Sequence, residues 1–214
     1  MRKLVLKMSV SVDGFVAGPN GEIDVFLKTM DEDVVSWIEE TLWQAGVHIM
    51  GSRTFQDMIA YWPTSSKPLA APMNDIPKIV FSKKEITELI DAELTTQAFK
   101  DTSRLDFGKG ISKVAVTKNF STWTNAVVAN GNIAEEINRL KQQQGKSILA
   151  HGGASFAQSL VKHNLIDEYK LVIHPVALGN GLPLFSALPE PLNLKLADSI
   201  SFSSGTIANT YQLI

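Results

Sequence analysis

The sequence predicts a single α/β domain with a mixed, mostly parallel central sheet flanked by helices and antiparallel strands at its C-terminal end. Two observations carry this prediction. Short apolar runs alternate with segments of helical periodicity along most of the chain, the pattern of strands joined by helical crossovers. The last two apolar runs are separated only by Ser203-Ser204-Gly205, a turn that joins antiparallel neighbours. At 214 residues the chain fits one domain, 1–214, and its 44% hydrophobic residues supply a sizeable core.

Residues 4–12 read as a buried strand that closes at Asp13-Gly14 and the loop Ala17-Gly18-Pro19-Asn20-Gly21. Asp31 is placed to cap a helix in which Val34, Val35, Ile38, Leu42 and Ala45 recur at helical spacing, with Gly46 closing it. A short strand over 47–50 follows, then Gly51, a helix over about 54–60 and a strand over 78–81. Asn132 and Glu135 open a helix whose Ile133, Ile137 and Leu140 form one apolar face, and Gln142-Gln143-Gln144 is its solvated end. Next come a strand over 147–150, a Gly152-Gly153 turn, a helix over 154–162 and a strand over 169–174. The closing strands span 192–200 and 206–213. The charged, Thr-rich segment 84–112 reads as a surface insertion within the same domain.

Composition narrows the function classes. A net charge of −2 and a pI near 6.1 give no electrostatic case for nucleic acid or an anionic membrane surface. The absence of cysteine excludes disulfides, thiolate catalysis and Cys-ligated metals. The apolar run after Met1-Arg2-Lys3 is interrupted by Lys7 and two serines, too short and polar for a signal peptide or membrane span, so the expected location is the cytoplasm. His48, His151, His163 and His174 show no metal-binding spacing, so no metal is expected; His48 and His174, in apolar strands, are expected to be satisfied core residues.

The chemistry concentrates at turns. A Gly-Gly pair between an apolar strand and a helix lets phosphates approach bare backbone, and the helix's free N–H groups and positive end favour their charge. The dipeptide has neither dinucleotide-fingerprint nor P-loop spacing, so by itself it equally serves as a tight turn. In Gly51-Ser52-Arg53-Thr54, Gly51 frees the backbone, Thr54 can cap the helix, and Arg53 carries a donor fork matched to phosphate; its alternative is a surface salt bridge. Ser82 either donates to the same region or caps the strand end. Asp13 binds substrate hydroxyls or relays a proton, given a pKa raised by burial, or else it caps its own turn. Trp62 either walls a substrate pocket or packs in the core. Asp167 and Glu168 point to opposite faces at a strand entry and read as structural.

Four segments in order, SVSVDGFVAG (9–18), MGSRTF (50–55), IVFS (79–82) and the Gly152-Gly153 region running on through Asp167-Glu168 to HPVALGNGLPLF (174–185), resemble the dihydrofolate-reductase-like superfamily. The similarity lies in the branch related to the reductase half of bacterial riboflavin deaminase-reductases. The resemblance implies that superfamily's fold and an NADPH-dependent reductase transferring a hydride to a small pterin- or pyrimidine-like heteroaromatic. It implies that Asp13 faces the reacting centre and that Ala17 lies in the loop beside the nicotinamide. It also implies that Gly51, Arg53, Thr54, Ser82, Gly152, Gly153, Ala154, Ser155 and Phe156 bind the cofactor, that Trp62 meets substrate, and that residues 175–185 pack in a homodimer. The alternatives are a riboflavin-pathway 5-amino-6-(5-phosphoribosylamino)uracil reductase, with Arg53, Lys67 and Lys83 supplying a phosphate site, and a non-catalytic dinucleotide sensor. Three departures stand out. Arg53 falls one place later than in the commonest form of its motif, which bears on NADPH over NADH. Residues 61–67 replace the Asp-Asn/Asp-Pro segment of the riboflavin-pathway reductases. His151 stands where those reductases carry an acid.

Overall fold

The computed structural model describes residues 1–90, 121–186 and 188–214. Among these, the strands are β1 (Leu4–Ser11), β2 (Phe15–Ala17), β3 (Ala45–Gly51), β4 (Lys78–Phe81), β5 (Val127–Ala129), β6 (Ser147–Ala150), β7 (Glu168–His174), β8 (Leu182–Pro183), β9 (Leu194–Ser201) and β10 (Ile207–Leu213). The helices are α1 (Asp24–Leu27), α2 (Glu32–Trp43), α3 (Ser52–Tyr61), α4 (Ala70–Asp75), α5 (Ile86–Ile90), α6 (Ser121–Thr124), α7 (Ile133–Gln142) and α8 (Ala154–Lys162), with a 3-10 turn at Trp62–Thr64.

One sheet runs in the order β5-β4-β3-β6-β1-β7-β10-β9. From β5 to β7 every neighbour is parallel, and β10 and β9 add antiparallel strands at one edge, as expected. β2 and β8 form a separate antiparallel ribbon. Alternation along the strands divides the core in two. Leu4, Leu6 and Met8 pack with Ile148 and Ala150 against Ala157 and Leu160 of α8. Val5, Met50, Leu149 and Val172 face Val34 and Ile38 of α2 and Phe55 of α3. Both faces of the parallel sheet are therefore covered, which is why its strands read as nearly continuous apolar runs.

Asp31 Oδ1 accepts from the Val34 N–H at 2.9 Å and Asn132 Oδ1 from the Ala134 N–H at 2.9 Å, so both expected caps form. The end expected for α2 is overturned. The helix stops at Trp43, and Ala45 and Gly46 belong to β3, with an irregular step in its pairing to β6 between Ala45 and Val47. A Cβ on Gly46 would stand 3.1 Å from the Arg2 guanidinium and from Lys146 Cβ, so the strand needs a bare backbone at that close approach. Of the expected insertion, residues 84–90 carry α5, whose Leu89 is buried in the core; residues 91–112 lie outside the described residues. Among the described residues, no helix is long and apolar enough to cross a membrane.

Candidate functional site

β3 and β6 are parallel neighbours, and each turns directly into a helix at its carboxyl end. The Gly51 N–H donates to the Gly152 carbonyl at 3.2 Å, and the His151 N–H to the Ile49 carbonyl at 3.0 Å, so the two turns are bonded side by side. They leave little room for side chains. A Cβ on Gly51 would lie 3.2 Å from Phe156 Cβ, and one on Gly153 would lie 3.1 Å from Thr54 Oγ1. Gly152, at φ +96°, has Met8 Sδ 2.9 Å from where its Cβ would be. The Gly152–Gly153 peptide is cis. Bare backbone therefore lines the junction, and carboxyl ends of parallel strands are where α/β sheets bind ligands.

The two helix starts here differ from those of α2 and α7. α2 and α7 begin with side-chain caps and acidic first turns. α3 and α8 begin at Gly51 and Gly153 with no side-chain cap and no acid in the first turn. Their first N–H groups are left for a ligand, and two positive helix ends stand side by side. Thr54 does not cap α3, contrary to expectation, because the glycine occupies the cap position and the threonine hydroxyl faces Gly153 instead. Arg53 is exposed on the first turn of α3, and among the described residues no salt bridge engages it. Ala154 and Ser155 open α8, with Phe156 below them, its ring 5.0 Å from that of Phe81. Ser82 Oγ accepts from the Lys84 N–H at 2.9 Å, making the strand-end cap while keeping its own proton for donation.

Asp13 lies exposed just beyond β1. Its carboxylate accepts from Ser11 Oγ at 2.5 Å, from the Leu178 N–H at 3.1 Å and from the Gly179 N–H at 2.7 Å. The Ser11 hydroxyl, then the Gly179 N–H, hold its pKa down at about 2. The raised pKa that proton relay requires is thus absent: the group is held ionised by its donors rather than buried among apolar neighbours. Its visible work is to clasp the loop after β1 to residues 178–179. β2 and β8 extend that clasp, pairing Ala17 with Leu182, and a Cβ on Gly181 would overlap the Ala17 carbonyl.

The other expected site residues do not gather at the junction. Trp62 lies beyond the far end of α3, about 15 Å along a ten-residue helix from Gly51. There its ring meets Tyr61 at 4.8 Å and its carbonyl accepts from Asn74 Nδ2 at 2.9 Å, a packing role. Lys67 follows the 3-10 turn that comes after α3 in the chain. Asp167 accepts from the Leu4 N–H at 2.7 Å and from Lys141 at 2.8 Å, the corner role read from the sequence.

Three buried or partly buried basic residues that sequence reasoning passed over lie on the α2–α3 side of the sheet. His48 is fully buried with both ring nitrogens unpartnered, and His174 is paired only at Nδ1, with Thr29 Oγ1 at 2.7 Å. The expectation that both are satisfied core residues fails at His174 Nε2, while the Leu42 backbone acts on the His48 ring. Lys7, on the central strand, has its pKa lowered to about 8 by burial. A lysine inside an otherwise apolar run was the available signal. Among the described residues, no cluster of three or more His, Asp or Glu stands together as a metal site.

Residues 2–208 match a known family along almost the whole chain. The chain belongs to the RibD C-terminal domain family. It is 30% identical over 210 residues to YyaP, an uncharacterized protein of Bacillus subtilis strain 168, across 98% of this chain and 94% of that protein. Its fold is similar to that of a pyrimidine reductase-like protein from Corynebacterium diphtheriae, with a TM-score of 0.61 and 16% identity over 100% of this chain and 92% of the other. It is also similar to dihydrofolate reductase from Enterococcus faecalis complexed with NADP(H), with a TM-score of 0.55 and 11% identity over 99% and 96% of the two chains. At such identities the likeness is one of fold. Family and fold are those implied by the four ordered segments.

Proposed function

We propose that this RibD C-terminal domain protein is an NADPH-dependent reductase that transfers a hydride to a small pterin- or pyrimidine-like heteroaromatic. The observation that carries this reading is the pair of uncapped, acid-free helix starts at Gly51 and Gly153, bonded side by side over bare backbone. That arrangement suits a diphosphate better than a single small anion, because two helix ends share it. Arg53, exposed beside the first, is the donor for a ribose phosphate, with Ser82 at the neighbouring strand end. NADPH bound along these residues supplies the hydride. The protein's part is to hold donor and acceptor together and exclude water, and the Asp13 clasp, with Ala17 in the ribbon it anchors, sets the loop that does so at the end of β1. The similarity to a dihydrofolate reductase seen with NADP(H) supports the choice of cofactor.

The riboflavin-pathway alternative is supported by the family relationship. It needs Arg53, Lys67 and Lys83 in one phosphate site. A homodimer using the loop that carries half-exposed Phe185, in the cytoplasm, completes the reading.

The test is loss of nicotinamide absorbance when the purified protein and NADPH meet a panel of oxidised pterins and pyrimidines. Turnover of at least one compound is expected. Tight NADPH binding with no turnover across the panel would instead favour the dinucleotide sensor, and no NADPH binding would overturn both.

A further inference from the structure

A cavity of about 400 Å³ opens at the amino ends of the parallel strands, away from the glycine junction at their carboxyl ends. Arg2, Gly46, Pro77 and Val127, at or just before the starts of β1, β3, β4 and β5, line it with Ser121 of α6 and Asn125 after it. Its volume falls within the range of small-molecule sites, about 300–1,000 Å³. β3 runs from this cavity to the junction. Gly46 and Gly51 at its two ends stand about 17 Å apart, at about 3.3 Å per residue.

Arg2 is held in place at the wall. Its Nε donates to the Lys146 carbonyl at 2.6 Å, Nη1 to Gln143 Oε1 at 3.4 Å and Nη2 to the Ser147 carbonyl at 3.4 Å. A guanidinium has five N–H groups, so one remains on each terminal nitrogen, a pair suited to the two oxygens of a carboxylate. Gly46 leaves the group its space, since a Cβ there would stand 3.1 Å from Nη2. Behind the wall, the Lys78 ammonium donates to the Ile76 carbonyl and, at 2.9 Å, to Oγ1 of Thr122, a lining residue. Burial lowers the Lys78 pKa to about 7, with Asp75 opposing. Among the described residues, no Asp or Glu lines the cavity, so its cations face no fixed anion there. Val47, Pro77, Ile79 and Val127 give it apolar wall, with Val127 59% exposed.

We propose that this cavity is a second binding site, which takes a small carboxylate with an apolar body and is separate from the cofactor junction. The carboxylate meets the two remaining N–H groups of Arg2, and the apolar body lies against Val47, Ile79 and Val127. Charge and shape act together here: a neutral ligand of the same shape leaves the Arg2 donors unanswered, and a bare anion leaves the apolar wall wet. The site stands whether or not the glycine junction holds a dinucleotide, because the two share no lining residue.

The test titrates the full chain with benzoate, its neutral isostere benzamide and inorganic phosphate, followed by the methyl NMR signals of Val47, Ile79 and Val127. Benzoate should shift these signals saturably and bind at least about tenfold tighter than either other probe, the worth of a charged hydrogen bond. NADPH should leave the benzoate affinity unchanged. Arg2→Met should weaken benzoate by about tenfold or more. Because Arg2 also ties strand ends together, a second variant leaves it intact: Val127→Asp, at an exposed position, places a like charge at the cavity and should weaken benzoate about fivefold, whereas Val127→Asn should not. Thermal unfolding checks that each variant is folded. Binding of benzamide or phosphate as tight as that of benzoate, competition by NADPH, no saturable shift, or an affinity that Val127→Asp leaves unchanged would overturn the proposal.

Discussion

Replacing Gly51 by aspartate should leave the fold as stable as before while removing dinucleotide binding. Gly51 already has the extended backbone of a helix N-cap, φ −76° and ψ 162°, which an aspartate adopts without strain. The new Cβ meets Phe156 Cβ at 3.2 Å, relieved by a shift of a few tenths of an ångström. Against that small cost, a carboxylate cap gains a few tenths of a kcal/mol over glycine and about 0.3–1 kcal/mol from the helix end. For binding the sign is opposite. The carboxylate occupies the N–H groups a phosphate needs, and two like charges about 4 Å apart repel by about 1 kcal/mol in water and about 4 kcal/mol near a protein surface. A middle value of about 2.5 kcal/mol corresponds to about 70-fold weaker binding. Gly51→Asn supplies the same shape and cap without charge. Fluorescence titration with NADPH at two salt concentrations, alongside thermal unfolding, separates the effects. Aspartate should bind far more weakly than asparagine, and the gap should narrow with salt. Aspartate binding within about threefold of the unaltered protein would refute the assignment of this helix end to phosphate, since even the about 1 kcal/mol water-like limit predicts more.

Arg53→Ala should weaken NADPH by about tenfold or more, the worth of a charged hydrogen bond, and leave NADH and the thermal midpoint unchanged; equal losses for both cofactors would contradict the 2′-phosphate role. Asp13→Asn should loosen the clasp, seen as faster amide exchange at Leu178 and Gly179 and a higher KM with unchanged cofactor affinity. Because the folded pKa of Asp13 is lowered from 3.8 to about 2, its contribution to stability is full above about pH 4 and fades as pH falls toward 2; amide protection at 178–179 that is flat over this range would contradict the clasp. Asp167→Asn should cost about 1 kcal/mol through its bonds to Leu4 and Lys141, a few degrees in thermal midpoint, with cofactor binding untouched.

Elements with strong local signals were legible in the sequence. Residues 147–150 and 154–162 match β6 and α8 as they stand, and Asp31 and Asn132 cap the helices assigned to them. What failed was non-local. Ala45 continues the helical spacing of Ile38 and Leu42 because it is buried in β3, and only the approach of Arg2 and Lys146 shows why Gly46 belongs to a strand. β2, β5 and β8 span two or three residues each, too short for periodicity to register. At the site, the glycine turns were readable because their chemistry is local. Two partners of Asp13 are 165 and 166 residues away in the chain, so its clasp to residues 178–179 was invisible beforehand, although Ser11, the largest cause of its depressed pKa, is two residues away. The contact of His48 with His151 was hidden likewise, since the two meet only through strand order.

The most direct test of the cofactor site is a paired titration of the purified protein with NADPH and NADH, followed by nicotinamide fluorescence. Saturable NADPH binding with distinctly weaker NADH is the expected result, from a diphosphate on the two helix ends and a ribose phosphate on Arg53. Binding of neither would contradict the account at its centre, leaving a reductase fold whose glycine junction holds something other than a dinucleotide.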